Sequence, residues 1–292
     1  MRFPLISTGR RFFFFTLTVK KRQRILSHLV RGEQRPQLTA LGESIVALWR
    51  QLHEHDRHLT ASDFVIMPDH VHLLLIVNSL EAYPFNPLVF IKQFQKATQH
   101  IPWEADFWVN ISFDARQLAA IRRYIKMNPV RYFWKHDHPD LFKLIRNLRH
   151  PLLDPTLTWS AIGDITLLAS PFLYLVRLTR KQSLEALAPD IQHALELAQQ
   201  GWTPVCGFLS PGERAFERQL KALPHSRWIK TVPYALPERY DPSVEDSSWI
   251  ANRRQLILSS FTPDLFPPFT ITRAGCLLMN ERIERILQRM PH

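Results

Sequence analysis

Two pairs of residues in this chain have types and spacings that can do chemistry. His70 and His72 stand i, i+2 in Asp69-His70-Val71-His72-Leu73-Leu74-Leu75, and Tyr124 and Asn128 stand i, i+4 in Tyr124-Ile125-Lys126-Met127-Asn128-Pro129. In a strand, i and i+2 point to one face, so the two imidazoles stand side by side on a rigid platform and offer a divalent metal two of its ligands. On a helix, i and i+4 share a face, so a phenol and an amide oxygen are presented together. If that helix lies over the strand, Asn128 completes a His-His-amide metal site, and Tyr124 is placed to attack a phosphorus held by the same metal. Each feature has a plainer counterpart: strand histidines satisfied by hydrogen bonds, and a tyrosine packed between helix and sheet.

The His-x-His spacing alone decides nothing, because it occurs twice more. His53 and His55 end a polar helix, where i and i+2 diverge by about 200°. His136 and His138 sit in a polar turn before Pro139. Only the middle pair lies in an apolar strand able to hold it.

The elements that must position these residues are legible. Residues 63–77 read as a strand, a Pro68-Asp69 corner and a partner strand. Before them, the aromatic, β-branched run 11–19 reads as a first strand, followed by the basic cluster Lys20-Lys21-Arg22-Gln23-Arg24. Leu41, Ile45, Val46, Leu48, Trp49 and Leu52 recur at helical spacing over 39–55. After a loop with Pro84, a helix is predicted over 87–100 with Lys92, Gln93, Lys96 and Gln99 on its polar face, then a short strand from Trp103 to Ile111. Asp114 is placed to cap a helix that runs through Tyr124 and stops near Pro129. Strand, helix, strand, strand, helix, strand, helix is the order of a ferredoxin-like α+β domain with an antiparallel sheet.

The length of 292 residues favours two domains, set at 1–150 and 151–292. Of the formal net charge of +11, residues 1–150 carry +10 (22 Lys/Arg against 12 Asp/Glu). The excess therefore sits in the half with the paired histidines, as expected of a surface that meets phosphates. Two cysteines, neither in a CxxC pair, argue against a disulfide framework or a zinc ribbon and fit a reducing cytoplasm. The apolar run 12–19 is too short to span a membrane and has no cleavage site after it. A soluble cytoplasmic protein is the expectation.

His70-Val71-His72 within Met-Pro-Asp-His-Val-His-Leu-Leu-Leu, with Tyr124-Ile125-x-x-Asn128-Pro129-Val130-Arg131 some fifty residues on, resembles the single-tyrosine HUH transposases, in particular the REP-associated tyrosine transposases related to the insertion-sequence 200/605 type. The resemblance covers about residues 8–148. It implies a single-strand DNA endonuclease and strand transferase, with His70 and His72 binding Mg²⁺ or Mn²⁺ and Asn128 as a third, amide-type ligand. It further implies that Tyr124 forms a 5′-phosphotyrosine link while freeing a 3′-hydroxyl, on a DNA hairpin with a single-stranded neighbour. Arg122, Arg123, Lys126 and Arg131 flank the tyrosine and are the candidate DNA contacts. The family commonly continues with a small residue and glycine where this chain has Tyr132-Phe133-Trp134. The alternative is a DNA- or RNA-binding protein that keeps the fold without cleaving. Whether one chain or two build the active site is left open.

Residues after 150 read as an α/β domain with a mostly parallel sheet. A buried strand and its exit are expected over 162–170, and further strands from Thr203, at 228–232 and at 255–259. One helix is expected over 183–200, ended by Gly201, and another from Glu213. Ser210-Pro211-Gly212-Glu213, between a strand and a helix, weakly resembles the Rossmann-like, nucleotide- or DNA-handling domains of the DprA and LOG type, which implies a Rossmann-like second domain. A phosphate at that helix N-terminus and a module with no ligand are both compatible with it.

Overall fold

The computed structural model describes residues 10–56, 58–78, 85–112 and 115–289. They divide into two compact units, Met1–Phe133 and Trp134–His292.

The first unit is an antiparallel four-stranded sheet covered on both faces. Its strands are β1 (Arg11–Val19), β2 (Leu59–Ile66), β3 (His70–Val77) and β4 (Trp103–Ser112), with α1 (Ala40–His55), α2 (Pro87–Ala97) and α3 (Ala115–Asp137). The spatial order β2-β3-β1-β4 is the ferredoxin-like arrangement expected from the element order. β1 and β3 are central and buried on both faces, which is why their sequences are mainly apolar on both faces, except for the Thr and His residues at the site. Phe13, Phe15, Leu17 and Val19 of β1 join Val71, Leu73 and Leu75 of β3 in one cluster, where α1 contributes Ile45 and Trp49 and α2 contributes Ile91 and Phe94. Phe12 and Phe14 join Leu74 and Ile76 on the opposite face, where α3 contributes Ile125, with Leu118, Ile121 and Tyr124 packed alongside. His70 and His72 have the parity of Leu74, so they open onto the α3 face.

Three expectations need correction. α3 does not stop near Pro129; it continues to Asp137 with the proline inside. A proline at that point removes the bond to the carbonyl four residues back, a cost of about 3 kcal/mol. Contacts of the following turns oppose that cost: Arg24 donates to the Tyr132 hydroxyl at 2.9 Å, and the Arg31 guanidinium lies 5.0 Å over the Phe133 ring. Second, the boundary between the units falls within α3 rather than at 150. Leu141, with Phe142 and Leu144 beside it, packs into the core of the second unit against Ile162, Val232 and Ile250. Third, the last strand of the first unit is not short but ten residues long. Asp114, expected as a cap, lies outside the described residues.

The second unit holds a six-stranded mixed sheet. Its strands are β5 (Ile145–Arg146), β6 (Ser160–Gly163), β7 (Leu173–Leu175), β8 (Thr203–Cys206), β9 (Trp228–Thr231) and β10 (Gln255–Ser259), in the order β5-β6-β10-β9-β8-β7. The last four are mutually parallel, while β6 runs antiparallel to both β10 and β5. Four helices complete the unit: α4 (Ala188–Gln199), α5 (Pro211–Ala222), α6 (Val244–Ala251) and α7 (Arg273–Gln288). In the segment 162–170, expected as a buried strand and its exit, the strand ends at Gly163. That residue has φ of +114°, and a Cβ there would lie 2.3 Å from the Gln255 carbonyl oxygen, so the chain turns where only glycine fits. Asp164 then caps a 3₁₀ turn, Ile165–Ala169. Among the described residues no helix is long and apolar enough to cross a membrane.

Candidate active site

β1 and β3 build the floor of the site. Their antiparallel register sets Thr16 opposite His72 and Thr18 opposite His70. The His72 ring is stacked 5.3 Å from Phe14 and lies 4.8 Å from the His70 ring, centroid to centroid. Each imidazole is held through the same atom. His70 Nδ1 lies 2.6 Å from Asp69 Oδ1, and His72 Nδ1 lies 2.9 Å from Thr16 Oγ1. The tautomer with Nδ1–H donating leaves the Nε2 lone pair available in both rings.

Electrostatics support that state. Burial, reinforced by the nearby His70 and Arg131, holds His72 well below the ordinary histidine range, so its ring stays neutral. Burial alone would raise the Asp69 carboxyl, but the hydrogen bond from His70, together with the charge of Arg22, outweighs it and keeps Asp69 an anion. An anion can only accept, which fixes the proton of His70 on Nδ1.

α3 forms the roof. The Tyr124 ring stands nearly perpendicular to the His72 ring at 5.2 Å and to the Phe14 ring at 5.8 Å. Asn128 is buried at 8% exposure. One turn further, at i+7 from the tyrosine, Arg131 is only 2% exposed, and its guanidinium carbon lies 4.7 Å over the Tyr124 ring. Tyr124, His70 and His72 thus meet at one place on the sheet, with Asn128 on the same helix face as the tyrosine.

The four basic residues singled out on α3 divide. Arg123 and Lys126 are exposed. Arg122 is half-exposed and joined to the edge strand, with its Nε 2.9 Å from Asp63 Oδ2 and Nη2 3.2 Å from Ser62 Oγ. Arg131 belongs to the interior of the site rather than to a solvated face. Thr16, Asp69 and Phe14 were missed by the sequence reading. The signal for Thr16 and Phe14 was present in β1, whose even-numbered residues must share a face with His72 once the two strands pair.

Among the described residues, no three His, Cys, Asp or Glu side chains gather as a metal site. The available donors are two imidazoles, each oriented through its second nitrogen as metal-binding histidines are, and the Asn128 amide on the helix face of Tyr124. That set fits a divalent cation with open positions.

No family model matches the chain, and no curated protein does. Solved structures do. One is a REP-associated tyrosine transposase bound to a REP hairpin, 20% identical, with 46% of this chain and 74% of that chain covered and a TM-score of 0.33. Another is DNA processing protein A from Helicobacter pylori, described for its single-stranded DNA binding mode. It is 24% identical, with 50% of this chain and 66% of that chain covered and a TM-score of 0.37.

Proposed function

We propose that the first unit is a metal-dependent single-strand DNA endonuclease and strand transferase, a transposase with Tyr124 as nucleophile. The observation that carries this reading is the Tyr124 ring at 5.2 Å from a histidine whose own neighbour is a second histidine, both tied through Nδ1. His70, His72 and Asn128 would hold Mg²⁺ or Mn²⁺. When bound, the ion polarises the phosphoryl oxygen and draws charge from the leaving 3′-oxygen.

The chain's own residues supply the rest. Tyr124 Oη gives its proton to solvent and forms a bond to phosphorus; the bond from phosphorus to the 3′-oxygen breaks, and that oxygen leaves as a 3′-hydroxyl after taking up a proton. A 5′-phosphotyrosine remains, which a 3′-hydroxyl can later resolve in the reverse sense. Phe14 and Arg131 hold the phenol ring in place from two sides. Arg131 also sets a positive charge beside the group that carries negative charge in the reaction. Arg122, Arg123 and Lys126 supply cations toward the DNA backbone.

The test is incubation with single-stranded hairpin DNA and Mn²⁺ followed by a denaturing gel, beside Tyr124→Phe and His70→Ala. A DNA-linked protein band in the wild type that is absent from both variants is the expected result. DNA binding with no adduct and no nick across a set of hairpins would replace this reading with that of a non-cleaving DNA-binding protein.

A further inference from the structure

The site's sheet face extends beyond the roof that covers it. α3 packs over residues of β1, β2 and β3, whereas Trp108 and Asn110 on the edge strand β4 remain exposed. Their register sets Trp108 opposite Thr16 and Asn110 opposite Phe14, so both share the face of His72. Trp108 is 53% exposed, whereas Trp103 on the same strand is buried at 8%. The Trp108 ring meets Phe14 edge-on at 5.6 Å, and Phe14 in turn meets Tyr124. A large aromatic plane is therefore left open two ring contacts from the phenol. Arg10 is exposed near the opposite end of β1, its guanidinium 5.9 Å over the Phe12 ring.

We propose that Trp108 stacks an unpaired nucleobase neighbouring the phosphate that Tyr124 attacks, and so makes the site selective for single-stranded over duplex DNA. The proposal rests on the reading of Tyr124 as the nucleophile. Every base has a π-face, so stacking on indole tolerates sequence, but it requires a base free of its own stacked neighbour. Asn110 stands next along the same face, about 7 Å on. Its amide can both donate to and accept from the edge of the stacked base. Arg10 gives the strand a cation as it leaves the site. Trp108 acts here as a positioning residue, orienting the nucleotide whose phosphate reacts.

The experiment uses the full chain with a hairpin oligonucleotide carrying a single-stranded flank and a series in which each flanking nucleotide in turn is abasic. Binding is read by fluorescence anisotropy and cleavage by adduct yield, for wild type, Trp108→Ala and Trp108→Phe. In the wild type, one abasic position is expected to weaken binding about ten-fold. Trp108→Ala should show that loss on the intact oligonucleotide and no further loss at the abasic position, and Trp108→Phe should restore most of the difference. Normal adduct formation with Trp108→Ala binding like wild type overturns the stacking and leaves the nucleophile standing. Trp108-dependent binding without any adduct supports the stacking and overturns the nucleophile. A wild type that binds no single strand removes both.

Discussion

His72 and Asp246 are both buried polar side chains beside a sheet, and their partners differ in kind. His72 spends one ring nitrogen on Thr16 and keeps the other, while Tyr124 and His70 stand against its ring. Asp246 is enclosed: Lys230 Nζ at 3.0 Å, Gln255 Nε2 at 2.8 Å and Ser243 Oγ at 2.8 Å all donate to its two oxygens. The helix N-terminus at Ser210 is closed in the same way. Ser210 Oγ accepts from Glu213 N, and Glu213 Oε2 accepts from the amides of Leu209 and Ser210. Gly212 serves packing there, since a Cβ would come within 2.7 Å of Leu187 Cδ1. The amides of Leu209, Ser210 and Glu213 are thus taken by the cap's own side chains rather than turned toward a phosphate. At His72, polar groups converge with valence to spare; at Asp246 and Ser210 the neighbouring groups close the site on itself.

Substitutions that separate reactivity from stability test this contrast. The largest expected effect is Tyr124→Phe, which removes all covalent adduct while leaving the melting temperature within a degree or two, because the lost hydroxyl is not what packs the ring against Phe14. A melting curve and a denaturing gel on the same sample check it. Asp246→Ala should do the reverse, costing about 3–5 kcal/mol by stranding Lys230, seen as a fall in denaturation midpoint with adduct formation unchanged below it.

Asp246 also sets a pH dependence. Burial raises its pKa, but the charge of Lys230 and the bonds from Gln255, Lys230 and Ser243 win, so the folded value lies below the ordinary carboxylate value. Its contribution is therefore present above about pH 4 and is lost as pH falls through the folded pKa. Acid titration of stability should show this slope in the wild type, and Asp246→Asn should flatten it.

Thr16→Val keeps the shape of the strand but removes the partner of His72 Nδ1. A loss of about 10- to 100-fold in Mn²⁺ affinity is expected, measured by titration calorimetry; unchanged affinity would show that the imidazole is oriented by packing alone. The smallest effect is Ser210→Ala, about 1 kcal/mol of stability from a lost cap, with no change in DNA binding. A large loss of DNA binding in that variant would return α5 to consideration as a phosphate site.

The sequence was most informative where one physical rule acted alone. β1 and β10 occupy the expected ranges because a run that is mainly apolar or β-branched in a central strand has few other options. The i, i+2 and i, i+4 spacings put both histidines on one strand face and Tyr124 with Asn128 on one helix face for the same reason; that the faces meet depends on the packing of α3. Reading failed where two rules competed. Pro129 is a local stop signal that tertiary contacts of Tyr132 and Phe133 override. Arg131 looks like a solvated cation until the helix is known to continue, which turns i+7 back toward Tyr124. Gly212 resembles a phosphate turn, and only the position of Leu187 reveals it as a packing residue. Trp108 was legible as a strand residue, but its exposure depends on where α3 stops covering the sheet, which no local pattern encodes.

Phe13 and Phe14 are adjacent and almost equally buried, at 2% and 6%, yet a mutational scan would separate them. Phe13 meets Phe15 and Phe85 inside the apolar cluster under α1 and α2. Phe14 touches Trp108, His72 and Tyr124 at once. A library selected for folded protein should accept leucine at both positions; one selected for DNA cleavage should accept it only at 13.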